Sequence, residues 1–119
     1  MATEETLIRQ TIKYYAEGGT TGNPKLVAKA FHPSATMKFI KEAVFTDVPI
    51  ATFLSDYIKE GVVQQRTTEI ISIDISGNAA QAKLTIDYSS HQFIDYFNLL
   101  KTDGHWLIVS KIFYRKDKV

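Results

Sequence analysis

FIDYFNLLKTDGHWLIVSKIFYR, residues 93–115, is the stretch on which the fold of this chain turns. Asp103-Gly104 is a strong short-turn signal, and the flanking runs are rich in aromatic and β-branched residues, so the stretch reads as a β-hairpin. A hairpin with one wet face alternates apolar with polar residues. This one is apolar on both faces, yet it carries Asp95 and Lys111 in its middle. Two registers are open. A two-residue turn sets Asp95 opposite Ile112 and Lys111 opposite Tyr96, leaving two charges on different apolar faces. A three-residue turn, Thr102-Asp103-Gly104 with Gly104 left-handed in a bulge, sets Asp95 directly opposite Lys111. An unpaired buried charge is destabilising by ~3–5 kcal/mol, so the three-residue register is expected.

That register sorts the hairpin into two faces. One holds Phe93, Asp95, Phe97, Leu99, Leu107, Val109, Lys111 and Phe113; the other holds Ile94, Tyr96, Asn98, Leu100, Trp106, Ile108, Ser110 and Ile112. Helices elsewhere in the chain can cover one face, and nothing remains to cover the second. A contiguous apolar patch of that kind marks an interface. A homodimer through the outer sheet face is expected, with Ile94, Tyr96, Asn98, Trp106, Ile108 and Ile112 at its interface.

Upstream of the hairpin the period is two. TEIISIDIS places Ile71, Ile73 and Ile75 on one side, SGN turns the chain, and AQAKLTIDY sets Ala82, Leu84, Ile86 and Tyr88 against a wet face. Before residue 64 the pattern is helical. Thr3 with Glu4 and Glu5 starts a helix that Gly18-Gly19 should stop. Asn23 and Pro24 open a second helix, closed by His32-Pro33. ATMKFI and AVFT read as short strands. Pro49 then precedes a third helix with Ile50, Phe53, Leu54, Tyr57 and Ile58 at helical spacing, ending at Gly61. Helices segregated ahead of a meander define an α+β domain spanning residues 1–119.

Composition narrows the function. An apolar fraction of 45% with 23% charged residues is that of a globular chain. A net charge of +1 and the lack of exposed basic-aromatic platforms speak against nucleic acid. Cysteine is absent and no histidine pair has ligand spacing, so neither a thiolate centre nor a metal site is expected. No apolar run approaches the ~18 residues of a membrane span, and MATEETLIRQ does not read as a signal peptide; a cytoplasmic protein without membrane contact is expected. Nothing calls for a cofactor.

GNPKLVAKAFHPSATM, IDISGNAAQAKL and IDYFNLLKTDGHWLIVSKIF together resemble the putative lumazine-binding family of the nuclear transport factor 2-like, or SnoaL-like, superfamily. The resemblance implies a cone-shaped, cystatin-like α+β barrel: three helices wrapped by a strongly curved, mainly antiparallel sheet, with a pocket at the open end. Ketosteroid isomerases of that superfamily offer a residue-by-residue comparison. Their helix tyrosine falls on Tyr15 and their hairpin acid on Asp95, whereas their base position falls on Phe39, which cannot accept a proton. Their pocket-facing hairpin positions match Phe93, Asp95, Phe97, Val109, Lys111 and Phe113.

A small-molecule pocket is the leading expectation, with Tyr15, Tyr57, Phe39 and those hairpin residues around an apolar or aromatic ligand with one polar end. Asp95 beside Lys111 should be an ionised, paired carboxylate rather than a protonated acid. An isomerase or polyketide-cyclase-like enzyme using Asp95 and Tyr15 is one alternative; a dimeric interaction domain with a filled pocket is another.

Overall fold

A computed structural model describes residues 2–119. Helix α1 (Glu4–Thr21) leads into α2 (Pro24–Ala28), then strands β1 (Phe31–Lys41) and β2 (Val44–Pro49). A single helical turn, α3 (Ile50–Thr52), runs on as a π-helical turn over Phe53–Tyr57, and the meander β3 (Thr67–Ser76), β4 (Ala79–Asp87), β5 (His91–Thr102) and β6 (His105–Asp117) completes the chain. The six strands form one sheet in the order β2-β1-β6-β5-β4-β3, antiparallel except where β1 runs parallel to β6. Helices pack on one face of the curved sheet, the α+β architecture expected.

The caps explain where the helices begin. Thr3 accepts from the Thr6 amide and Asn23 accepts from the Leu26 amide, each satisfying a first-turn donor. The end of α1 differs from the expectation, since the helix runs through Gly18-Gly19 to a left-handed Gly22 (φ 69°). The two internal glycines serve close approach instead. A Cβ at Gly18 would meet Val27 Cγ2 at 2.6 Å, and one at Gly19 would collide with the Arg66 guanidinium. The third helix is also shorter than its apolar spacing predicts. Ser55 Oγ donates to the Thr52 carbonyl and to Asp56 Oδ1, and such side-chain bonds compete with a continuing ladder.

The hairpin corrects the expected three-residue register. Its turn has two residues, with Asp103 (φ 50°) and Gly104 (φ 79°) both left-handed and Thr102 facing His105. Six residues along, Val109 is an extra, unpaired residue: Leu99 faces Ile108 but Asn98 faces Ser110. Beyond this bulge Asp95 lies opposite Phe113 and Lys111 opposite Phe97, so the two charges are diagonal neighbours on one face. The bulge also reverses the expected placement of the first half of β6. Trp106 (3% exposed) and Ile108 (0%) point into the core, so they are not part of the outer face. A second bulge at Ile71 has the same effect in β3, where Ile70 joins Ile73 and Ile75 against the core and Ile71 turns outward. Bulges bend the strand and raise its twist, which is how this sheet curls around the helices.

Helix α1 is fastened across the hairpin. Trp106 Nε1 donates to Glu4 Oε2 at 2.6 Å, Lys101 Nζ bonds Glu4 Oε1 at 2.7 Å, and Thr11 Oγ1 donates to the Trp106 carbonyl at 2.8 Å. Those bonds, Lys101 first and Trp106 second, hold the Glu4 carboxyl below its ordinary range. The outer sheet face keeps Tyr96, Leu100, Ile112 and Tyr114 exposed.

Candidate functional site

Between the helices and the curled sheet lies a cavity of about 400 Å³. Tyr15 enters it from the buried side of α1, where the run Ile8, Ile12, Tyr15 faces the sheet. Lys111 enters from β6 and Phe53 from the π-helical turn, while Phe93 and Phe113 wall it from the hairpin. Tyr57, half exposed, and Lys59, Val62 and Gln64 stand at its helix-and-loop side.

At the inner end three polar side chains form a chain of bonds. Lys111 Nζ donates to the Tyr15 hydroxyl at 2.6 Å, and that hydroxyl donates to Asp95 Oδ2 at 2.9 Å. Lys111 Nζ and Asp95 Oδ2 are 3.6 Å apart, with both side chains almost wholly buried. The ammonium also lies 4.8 Å from the Tyr15 ring centre and 5.1 Å from those of Phe53 and Phe113, within cation–π range. Burial pushes the Lys111 pKa down, opposed by the charge of Asp95 and aided by that of Arg66. Burial, then the Asp95 charge, pushes the Tyr15 hydroxyl well above its ordinary value. Asp95 Oδ1 is buried with no hydrogen-bond partner among the described residues.

Of the residues singled out in the sequence, Tyr15, Tyr57, Phe93, Lys111 and Phe113 line the cavity. Asp95 does not: it sits behind the wall, reached through Tyr15 and Lys111. Phe97 is core, edge-on to Tyr15 at 5.0 Å, and Phe39 is a backing residue stacked on Phe113 at 4.5 Å. Val109, expected beside Lys111, is the unpaired bulge residue and lines nothing.

Arg66 and His91 also line the cavity and were not singled out as site residues. Arg66, in the segment before β3, bonds Thr20 Oγ1, Tyr88 Oη and the Ala16 carbonyl, and its guanidinium packs over Gly19. His91 stacks on Tyr88 at 4.4 Å, its pKa lowered first by burial and then by Arg115. Tyr88 closes a period-two run, but neither Arg66 nor His91 belongs to one, so no spacing marks those two. Among the described residues no three His, Cys, Asp or Glu side chains gather as a metal site would need, and no helix is long and apolar enough to cross a membrane.

Helices laid in a curled six-stranded sheet, with a pocket enclosed between them, define an NTF2-like protein. The model of the Putative lumazine-binding family matches residues 3–114, and the chain belongs to that family. An NTF2-like protein of unknown function from Shewanella baltica superposes with a TM-score of 0.86 at 29% identity, covering 99% of this chain and 100% of the other. A ketosteroid isomerase-like protein from Erwinia carotovora atroseptica superposes at 0.78 with 12% identity, covering 97% and 98%, a likeness of fold alone. By sequence, the aldolase FrzH of a Cladobotryum species is 23% identical over 115 residues, 95% of this chain and 92% of that protein.

Proposed function

We propose that the domain binds a small apolar or aromatic molecule whose one polar end carries oxygen and lies against Lys111 and Tyr15. The observation that supports this is the cavity of about 400 Å³ with aromatic walls and a buried Tyr15–Lys111–Asp95 chain at its inner end. Ligand pockets span ~300–1,000 Å³ and pair apolar walls with a few placed polar groups. An open volume of that size weighs against an interaction domain filled by its own side chains. Arg66 adds a second cation on the wall, so a ligand oxygen bearing negative charge is favoured over a cation.

The experiment is thermal shift with native mass spectrometry on wild type and Lys111→Met, using benzoate, cinnamate, salicylate and acetophenone as probes. A ligand at 100 times its dissociation constant adds roughly 2.7 kcal/mol to stability. Stabilisation of the wild type, lost in Lys111→Met, is the expected result. Two folded proteins that no probe stabilises would remove the pocket reading.

An enzyme acting on a carbonyl compound is a second reading, supported by the similarity to the aldolase FrzH and by a Tyr15 hydroxyl that lines the cavity. The isomerase or cyclase form of that reading, with Asp95 as the acid or base, has less support because Asp95 stands behind the wall and is held by Lys111.

We further propose that a second copy covers the outer sheet face, now without Trp106 and Ile108. Tyr96 lies directly opposite Ile112 there, and both are exposed beside Leu100 and Tyr114. Light scattering should give twice the 13.5 kDa chain mass for the wild type and a single chain for Tyr96→Lys/Ile112→Lys. A monomeric wild type at micromolar concentration would sink the dimer.

A further inference from the structure

We infer that Lys111 is a carbonyl-capturing amine, which condenses with a ketone or aldehyde in the cavity to an imine. The inference rests on the pocket reading and names the reactive class of its ligand.

The placement of Lys111 carries it. The amine lines the cavity yet is almost entirely removed from water, in a ring of Tyr15, Phe53 and Phe113. An ammonium cannot add to a carbonyl, so a capturing lysine needs a site that disfavours its charge and a route for its proton. Desolvation, the largest effect, meets the first need with help from the Arg66 charge, against the opposing charge and hydrogen bond of Asp95. The bond chain meets the second. A proton leaving Nζ passes to the Tyr15 oxygen, whose own proton passes to Asp95 Oδ2. The ion pair becomes a neutral amine and a neutral carboxylic acid with no change in net charge, which suits a buried site where separated charges are costly. The free Asp95 Oδ1 leaves the carboxyl a second position for that proton.

The step balances without an oxidant or reductant. The Nζ lone pair forms a bond to the carbonyl carbon, and the oxygen takes a proton through Tyr15. The carbinolamine then loses that oxygen as water, so one carbonyl and one primary amine give one C=N bond and one water. A ring-bearing substrate fits beside Phe93 and Phe113, where a benzene-sized group would lie against the wall.

The probe is benzoylacetone, an aromatic 1,3-diketone whose imine tautomerises to a stable enaminone with a new near-ultraviolet band. Wild type, Lys111→Arg and Lys111→Met are incubated with it at neutral pH, then read by absorbance, native mass spectrometry and peptide mapping. One equivalent should attach, with the mass of the diketone less one water, on the peptide holding Lys111. It should form before any surface lysine is labelled, since the rate scales with the fraction of free amine and burial lowers the Lys111 pKa. Lys111→Arg keeps the charge and the reach to Tyr15 without a nucleophile, and should show no band. Mapping of the wild type needs no variant, so a misfolded variant leaves the test intact. A complex bearing the full diketone mass, with no water lost, would overturn the imine and leave the pocket standing. Labelling spread evenly over surface lysines would also overturn the imine. Neither adduct nor complex, with none of the carboxylate and ketone probes bound either, would overturn both.

Discussion

Asp95→Leu is expected to destabilise the domain by about 3–5 kcal/mol, the usual cost of leaving one member of a buried ion pair without its partner. Asp95 is 1% exposed and Lys111 5%, so water cannot take over the lost contact. The leucine fills most of the volume, which keeps cavity formation out of the measurement. Tyr15 loses its acceptor as well, since its hydroxyl donates only to Asp95 Oδ2. The companion variant Tyr15→Phe/Asp95→Leu/Lys111→Met removes every polar member of the chain together. Apolar replacements of buried ion pairs are often neutral or stabilising, so this triple variant should recover most of the loss. Urea unfolding measures both, with a midpoint lower by about 2 M for the single variant if the slope is near 2 kcal/mol/M. A single variant within ~1 kcal/mol of wild type would show that the pair contributes little to the fold. A triple variant no better than the single would show that these side chains are needed for packing rather than to neutralise one another. If the triple variant folds well, the retention of three polar groups beside a cavity points to use and not to stability.

Trp106→Ala should cost about 3–5 kcal/mol, the range for deleting a large buried aromatic. Trp106 is 3% exposed, and its indole N–H donates to Glu4 Oε2. The substitution therefore opens a cavity under α1 and takes away one of the two bonds that seat the helix start; the Thr11 bond to the backbone carbonyl survives. Chemical unfolding followed by light scattering separates two outcomes. A large loss of stability with the oligomeric state unchanged is expected of a core residue. Dissociation with stability retained would put Trp106 on the outer face, as the three-residue hairpin register requires, and would contradict the bulge at Val109.

These two residues mark the boundary between what the chain shows on inspection and what it does not. The kinds and order of the elements are local matters. Thr3 and Asn23 cap their helices, the period-two runs form strands, and Asp103-Gly104 turns the hairpin, each through interactions within a few residues. The pairing of Asp95 with Lys111 was also legible, because two charges in an apolar hairpin have to neutralise one another. The partner is the expected one and the register is not: in an unbroken ladder only a three-residue turn brings the two charges to one face. The chain instead keeps the two-residue turn and inserts Val109, and the charges meet diagonally.

A bulge forfeits a little local hydrogen bonding to re-aim every side chain beyond it, so its position depends on which residues α1 and the neighbouring strands can bury. Trp106 and Ile108 went to the core, and Ile71 turned away from it, for that non-local reason. Arg66 and His91 reach the cavity for a similar one: Arg66 is held by Thr20, Ala16 and Tyr88, the last 22 residues away in sequence, and His91 by a turn that stacks it on Tyr88. The sequence by itself determined the α+β class, the hairpin and the pairing of Asp95 with Lys111. Only the tertiary structure decided which face the pair looks onto, because a strand's period is set by its neighbours along the chain and its bulges by its neighbours across the core.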